Sequence, residues 1–228
     1  MSKIYSMIII GFLIIGCKER TKSEEILKEK IEFNEPLANK LKKMAEVDQL
    51  AAWNAFPPEN YKHFSQEKWN TFKDSIYRTH QNQLKQIFDQ YGYPGFNLVG
   101  KEGALNFWVM VQHSDHDVNF QKEVLEKMEI EVKKGNASPS NYGLLVDRVK
   151  INTGQEQVYG TQVDYNFEIA QAYPKSLTDS INVNERRKSI GLEPIEQYLN
   201  DMTLMNFEMN KEFYLKKGIT EPKLYKVN

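Results

Sequence analysis

The chain has almost no cysteine, since Cys17 is the only one among its 228 residues. One cysteine cannot form a disulfide within the chain, and it cannot supply the cysteine clusters of structural zinc sites. An acylated Cys17 would also leave no thiol for catalysis. The fold therefore depends on packing, for which 12 Phe, 12 Tyr and 3 Trp provide large apolar side chains.

An excess of positive charge is absent as well. Lysine and arginine together number 30 and aspartate and glutamate 31, which gives a formal net charge of −1. Nucleic-acid binding relies on basic side chains that neutralise phosphates, so the composition predicts no nucleic-acid partner. The length is sufficient for one substantial domain with its own core.

Long apolar runs are also scarce, and the one near the N-terminus is informative. Residues 7–16 read MIIIGFLIIG, follow Lys3 and end at Cys17. A basic start and a short apolar segment are typical of a secretory signal peptide, and the cysteine at its end resembles the bacterial lipobox. As a helix the run would rise about 15 Å, roughly half of a hydrocarbon core, so it is too short to span a membrane.

These features predict a bacterial lipoprotein. Residues 1–16 form the signal peptide, Cys17 receives the lipid, and residues 17–24 form a polar tether. We expect a protein held to the membrane through Cys17 in the cell envelope, outside the cytoplasm. Lys18 follows the cysteine where an inner-membrane retention signal would place Asp, which favours the outer membrane.

Apolar residues at helical spacing predict one mainly α domain over residues 25–217. Asn34 and Asp117 are expected to cap helices at their N-termini. Further helices are expected to start near Ser65 and at Ser138-Pro139. A buried helix is expected over residues 104–111.

The C-terminal part of this domain combines both types of secondary structure. Residues 157–173 read as a small β-hairpin, with strands over 157–163 and 168–173. The last helix is predicted to run over residues 194–217, and residues 218–228 are expected to be a loose tail.

The densest polar cluster covers residues 112–117, QHSDHD, directly after an apolar stretch. Its two imidazoles and two carboxylates can bind a metal, perform acid–base chemistry or merely cap helices. His113 and Asp117 share a helix face only if the helix continues through them. Because Asp117 as an N-cap would separate the two side chains, no metal site is predicted.

Other candidates lie further along the chain. A glycine inside a strand, as Gly160 is predicted to be, indicates that either a ligand or a packed side chain approaches the backbone closely. Its neighbours Tyr159, Thr161 and Gln162 are therefore candidates for ligand binding. Arg148 can form an exposed pair with Asp147 or bind an anion in a pocket. Arg186 either lies on a solvated face or reaches a buried carboxylate such as Asp115.

Ordered short stretches form a larger pattern. They are Asp48-Gln49; Tyr93-Pro94-Gly95; Leu98-Val99-Gly100; Gly103-Ala104 with Trp108; Val111-Gln112-His113 with Asp115, Asp117, Phe120 and Gln121; Asp147-Arg148-Val149; residues 157–162; Arg186-Arg187; Gly191-Leu192 with Pro194; and Tyr198-Leu199. This set, which covers roughly residues 37–202, resembles the bacterial family called domain of unknown function 6624. Proline is frequent in that family at the position of Val118, which implies that Asp117 is an N-cap and that His113 ends the preceding helix. The family has no assigned activity, so the resemblance implies a fold and candidate residues but no reaction.

The site hypothesis brings these groups into one cleft. His113 is the acid–base or ligand residue, and Asp115 orients it or pairs with an arginine. The predicted ligand-binding side chains are Gln112, Arg148, Tyr159, Thr161, Gln162 and Arg186. No cofactor is expected, and the ligand is expected to be small and polar.

Two functions remain open at this point. One is a non-catalytic binding or structural module of the envelope, which is favoured because no nucleophile has an adjacent base. The other is a cofactor-free, hydrolase-like acid–base enzyme that uses His113 and Asp115.

Overall fold

The structure, a computed structural model, describes residues 32–227. The predicted signal peptide over residues 1–16, the predicted lipidation at Cys17 with its tether over 17–24, and the first residues of the predicted domain, 25–31, lie outside this range. Within the described range no helix is both long enough and apolar enough to cross a membrane.

The described residues form eight α-helices, one 3-10 turn and a two-stranded antiparallel sheet, which confirms the predicted mainly α fold with a small hairpin. In chain order the elements are α1 (Glu35–Trp53), the 3-10 turn (Glu59–Tyr61), α2 (Gln66–Tyr91), α3 (Phe96–Gln112), α4 (Val118–Lys133), α5 (Pro139–Asn152), β1 (Val163–Asn166), β2 (Gln171–Pro174), α6 (Val183–Ser189), α7 (Ile195–Met209) and α8 (Lys211–Lys216).

The predicted N-caps Asn34 and Asp117 are confirmed, and Ser65 and Ser138 cap the helices that were expected to start at them. In each, a side-chain oxygen accepts a hydrogen bond from the backbone N–H three residues later, which satisfies a donor that the first helical turn leaves free. The pairs are Asn34 with Leu37 at 3.0 Å, Ser65 with Lys68 at 3.2 Å, Asp117 with Phe120 at 3.1 Å and Ser138 with Asn141 at 3.2 Å.

Helices α1 to α5 pack around the larger hydrophobic core. One fully buried side chain from each helix illustrates it: Leu41, Leu84, Phe107, Val124 and Leu145. Burying a side chain of this kind stabilises the fold by about 1.5–3 kcal/mol. This core fixes α1, α2 and α3 against one another.

The hairpin lies slightly later than predicted. Its strands pair from Val163 with Pro174 to Asn166 with Gln171, and β2 packs on α7 around Ala172 and Leu199. Residues 157–162 form only one isolated bridge, between Gln157 and Leu177, and no strand. The backbone N–H groups of Val158, Tyr159, Thr161 and Gln162 donate to side chains instead of to a neighbouring strand.

The prediction of one continuous last helix is wrong in one respect, because the helix is interrupted at Asn210, between α7 and α8. The break lets Tyr214 fold back and become fully buried. Its ring stacks on Phe207 at a centroid distance of 5.3 Å, and its hydroxyl donates to Asn206 Oδ1 at 2.7 Å. A buried aromatic with a satisfied hydroxyl compensates for the lost helical hydrogen bonds.

The residues after Gly218, expected to be loose, make specific contacts over the described part. The Tyr225 hydroxyl donates to the carbonyl of Ala172 at 2.8 Å, and its backbone N–H donates to Asn200 Oδ1 at 2.8 Å. The tail therefore lies across β2 and α7.

Candidate active site

His113 and Asp48 form the central pair of the candidate site. Asp48 lies on the buried face of α1 and is 1% exposed. His113 follows the last residue of α3, and its Nδ1 lies 2.5 Å from Asp48 Oδ1. A carboxylate only accepts hydrogen bonds, so Nδ1 carries the hydrogen in this contact and Nε2 is the free nitrogen of a neutral ring.

The charge of Asp48 is stabilised by its neighbours. Burial raises the pKa of this carboxyl group, but the hydrogen bond from His113 and the charge interactions with His113 and His80 outweigh burial and hold the pKa below its ordinary value. Asp48 is therefore a carboxylate at neutral pH. An ionised carboxylate on Nδ1 orients the imidazole and determines which ring nitrogen carries the hydrogen.

A second imidazole faces the same carboxylate from α2. His80 is almost buried, and its Nδ1 lies 3.8 Å from Asp48 Oδ2. Neither atom has a hydrogen-bond partner among the described residues. Unsatisfied buried polar atoms are costly, and a small movement would join this pair.

Tyr77 completes this cluster on α2. It lies one turn before His80, and its ring centroid is 5.5 Å from that of His113. Burial, and then the charge of Asp48, raise the pKa of its hydroxyl group. Tyr77 therefore stays neutral at physiological pH and can donate a hydrogen bond.

Gln112 and Asp117 lie on either side of His113 in sequence. Gln112 is buried, and its Nε2 has no hydrogen-bond partner among the described residues. Asp117 starts α4 as its N-cap, so the helix does not run through both His113 and Asp117. Across residues 32–227 no group of three or more His, Cys, Asp or Glu side chains is arranged to hold a metal ion.

Asp115 pairs with an arginine and does not orient His113. Nε and Nη2 of Arg148 donate to its two oxygens at 2.8 and 2.9 Å, and Asn152 donates at 2.8 Å. A further hydrogen bond comes from Gln121 at 3.0 Å. Asp115 therefore links the loop after α3 to α4 and α5, and the carboxylate that contacts His113 is Asp48.

The remaining predicted ligand-binding residues gather around a different carboxylate. Asp147 is fully buried and accepts hydrogen bonds from the backbone N–H groups of Val158, Tyr159 and Thr161, at 2.7 to 3.2 Å. The N–H of Gln162 donates to Gln157 Oε1 at 2.8 Å. These amides are occupied within the protein, so they are not free to bind a ligand.

Arg186 belongs to this second group. Its guanidinium donates to the carbonyls of Val158, Thr178 and Asp179 at 2.6 to 2.9 Å and contacts the Asp179 carboxylate at 3.3 Å. It therefore supports the loop and does not reach Asp115. The hydrogen bonds divide the predicted cleft into two groups, because the adjacent residues Asp147 and Arg148 on α5 point in different directions.

Gly160 is explained by packing. Its φ is +72°, and a Cβ atom built there would lie 2.5 Å from Ile195 Cδ1. The close approach that the sequence indicated is therefore made by a side chain of α7.

The sequence reasoning missed Asp48 and His80. Both lie on the buried apolar face of a helix. Asp48 follows Leu41 and Met44 at helical spacing on α1, and His80 lies one turn from Ile76 and one turn from Leu84 on α2. A charged or ionisable residue on a buried stripe requires a buried partner. That requirement is the signal that identifies them.

Comparison with known proteins gives a family match over most of the described residues. The model of a family of unknown function, DUF6624, matches residues 35–206. No curated protein and no solved structure matches the chain. The matched segment runs from the start of α1 into α7. It includes the carboxylates Asp48, Asp115 and Asp147 and their hydrogen-bond partners. The chain therefore belongs to the DUF6624 family.

Proposed function

We propose that this protein is a lipid-anchored envelope enzyme that performs acid–base chemistry on a small polar substrate with His113 and Asp48. The observation that carries the proposal is their contact at 2.5 Å, between a carboxylate that is 1% exposed and an imidazole side chain that is 23% exposed. A buried acceptor orients the ring, while partial exposure gives a substrate access to it.

The chemistry that fits this pair is hydrolysis by an activated water molecule. Nε2 of His113 accepts a proton from water as the water oxygen attacks the substrate, and the imidazolium then returns the proton to the leaving group. Asp48 stabilises the imidazolium and keeps Nε2 as the reactive nitrogen. A positioned acid–base group accelerates a reaction by about 10²–10⁴-fold.

Asp115 has in this proposal the second of the two roles expected from the sequence, which is pairing with an arginine. Its carboxylate is fully engaged by Arg148, Asn152 and Gln121. Asp115 therefore holds the loop that carries His113. Asp48 orients His113, which was the other role expected of Asp115.

The test is an activity screen with purified protein lacking residues 1–17. Chromogenic carboxylic esters, amides, phosphate esters and glycosides are each assayed with the wild type and with the His113→Gln and Asp48→Asn variants. His116→Gln is the matched control, because His116 lies in the same loop but is exposed and contacts Gln81.

We expect turnover of at least one substrate class by the wild type and by His116→Gln. Both His113→Gln and Asp48→Asn should reduce kcat by about 10²-fold or more while circular dichroism shows a retained fold. No turnover by the wild type, or full turnover by His113→Gln, would contradict the proposed enzyme.

The envelope location rests on the apolar run over residues 7–16 and on Cys17. With residues 1–16 removed, two or three acyl chains on Cys17 would hold the domain firmly at a membrane, since each buried methylene contributes about 0.8 kcal/mol. In cells grown with labelled palmitate, the wild type should carry label and enter the membrane fraction. Cys17→Ser should do neither, and labelled Cys17→Ser would contradict lipidation at this residue.

A non-catalytic binding or structural role is the second candidate. The saturated hydrogen bonds of Asp115, Asp147 and Arg186 support it, because such groups stabilise a shape without needing a substrate. This role predicts that wild type and His113→Gln are equally inactive on every substrate in the screen.

A further inference from the structure

An exposed tryptophan is connected to the His113–Asp48 pair through one side chain. Trp53 is the last residue of α1 and is 74% exposed. Its Nε1 donates to Gln49 Oε1 at 2.7 Å, and Gln49 Nε2 donates to Asp48 Oδ1 at 3.3 Å. The oxygen that Gln49 reaches is the one that contacts His113, so a continuous chain of hydrogen bonds connects the indole to the candidate site.

The hydrogen bond to Gln49 restricts the indole without covering it. The polar edge of the ring is satisfied within the protein, while most of its apolar surface remains open to solvent. Trp53 differs in this from Trp69 and Trp108, which are 0% and 8% exposed. A flat aromatic surface that is held in place and left open is suited to stacking on a flat apolar face of a ligand.

The side chains that form hydrogen bonds beside Trp53 are amides, and a single cation, Lys73, lies near the next residue. Gln49 lies one turn before it, and the side chain of Asn54, the next residue, donates to the carbonyl of Leu50 at 2.9 Å. The ammonium of Lys73 lies 3.5 Å from the Asn54 carbonyl and 5.9 Å from the ring of Trp69. Neutral donors and acceptors match hydroxyl groups better than phosphates, which call for a cluster of cations.

We propose that Trp53 and Gln49 form a subsite for a neutral glycan, in which the indole stacks on the C–H face of a sugar ring. A pyranose combines a flat apolar face with hydroxyl groups along its edge. Trp53 supplies the stacking surface, and Gln49 supplies the second N–H and the second oxygen lone pair of its amide, which its bonds to Asp48 and Trp53 leave over. This inference rests on the proposed function for its connection to catalysis, because it names the substrate class of the same site. Binding itself requires no turnover.

The test is calorimetric titration of the purified protein with cellotetraose, tetra-N-acetylchitotetraose and maltotetraose, three neutral tetrasaccharides. We expect the wild type to bind at least one of them, with a change in tryptophan fluorescence that Trp53 dominates because the other two tryptophans are buried. Trp53→Ala should weaken binding by about tenfold or more, and Trp53→Phe should restore part of the loss.

Two further variants separate this subsite from general effects. Phe33→Ala removes another exposed aromatic, 57% exposed and just before the opposite end of α1, and should bind like the wild type. His113→Gln should also bind like the wild type even where turnover is lost. Glycan binding without turnover would therefore retain the subsite while the proposed enzyme fails.

Three results would overturn the subsite. They are no binding of any neutral tetrasaccharide by the wild type, equal affinity of Trp53→Ala and wild type, and binding of adenosine monophosphate in place of the glycans. The last result would assign the indole to nucleobase stacking. Turnover of a substrate without sugar rings, together with no glycan binding, would retain the enzyme and reject the subsite.

Discussion

At the scale of single residues, this protein uses carboxylates as fixed hydrogen-bond acceptors. Asp147 accepts hydrogen bonds from three backbone N–H groups, and Asp115 accepts them from one arginine and two side-chain amides. Asp48 faces two imidazoles. Each carboxylate joins segments that are far apart in sequence. Because ionised acceptors form stronger hydrogen bonds than neutral ones, these residues contribute to stability in their charged form.

The pH dependence of stability follows from the pKa of Asp115. Burial raises this pKa, but the hydrogen bonds and charge of Arg148, with Gln121 and Asn152, hold it below its ordinary value. Since the folded pKa is lower than the unfolded one, the folded state binds fewer protons between the two values, and stability rises with pH there. The contribution is complete above the unfolded pKa of about 3.9 and is lost as the pH falls through the folded pKa.

We therefore expect the free energy of unfolding in urea to depend less on pH, between about pH 5 and 3, in Asp115→Asn than in the wild type. Arg148→Met removes the cause of the lowered pKa and should have a similar effect. The double variant should be no flatter than either single variant, because both act on one interaction. An unchanged pH dependence in Asp115→Asn would show that this pair adds nothing to acid stability.

At the scale of secondary-structure elements, most boundaries were predictable because their signals are local. The caps Asn34, Ser65, Asp117 and Ser138 each act on a backbone group three residues away. The segment over residues 157–162 was not predictable in the same way. Its conformation is set by Asp147 on the preceding helix and by Ile195 on a later one, and a strand-like pattern does not reveal these partners.

The packing of this segment against α7 gives a prediction at Gly160. Alanine there adopts a positive φ, which costs about 1–2 kcal/mol, and its Cβ displaces Ile195 Cδ1 inside a packed cluster, which costs about 1–3 kcal/mol more. Gly154→Ala is the matched control, because Gly154 has the same φ of +72° and a Cβ there meets no atom within 4 Å.

Thermal and urea unfolding should therefore show a larger loss of stability for Gly160→Ala than for Gly154→Ala. Adding Ile195→Val removes the clashing methyl group and should recover part of the difference. Equal losses in the two alanine variants would mean that Ile195 moves aside without cost.

At the scale of the whole molecule, the candidate site is a product of tertiary packing. The contact between Asp48 and His113 joins residues 65 positions apart, and His80 comes from a third helix. The sequence predicted the loop that carries His113, because its polar residues follow an apolar stretch. It did not identify the carboxylate partner, since which helices pack against α3 is decided by the shared core and not by local spacing.

The C-terminal residues give a prediction on this largest scale. A chain ending at Gly218 loses the hydrogen bonds of Tyr225 to Ala172 and Asn200 and that of Lys223 to Ile169, and it exposes buried polar groups on β2 and α7. The expected loss in the free energy of unfolding is about 2 kcal/mol or more, which lowers the Tm of a domain of this size by about 4 °C or more.

A chain ending at Tyr225 is the control and should melt like the wild type, as measured by circular dichroism at a fixed heating rate. If both truncated chains melt like the wild type, the tail contributes no stability, and β2 with α7 is held by the apolar cluster around Ala172 and Leu199 alone.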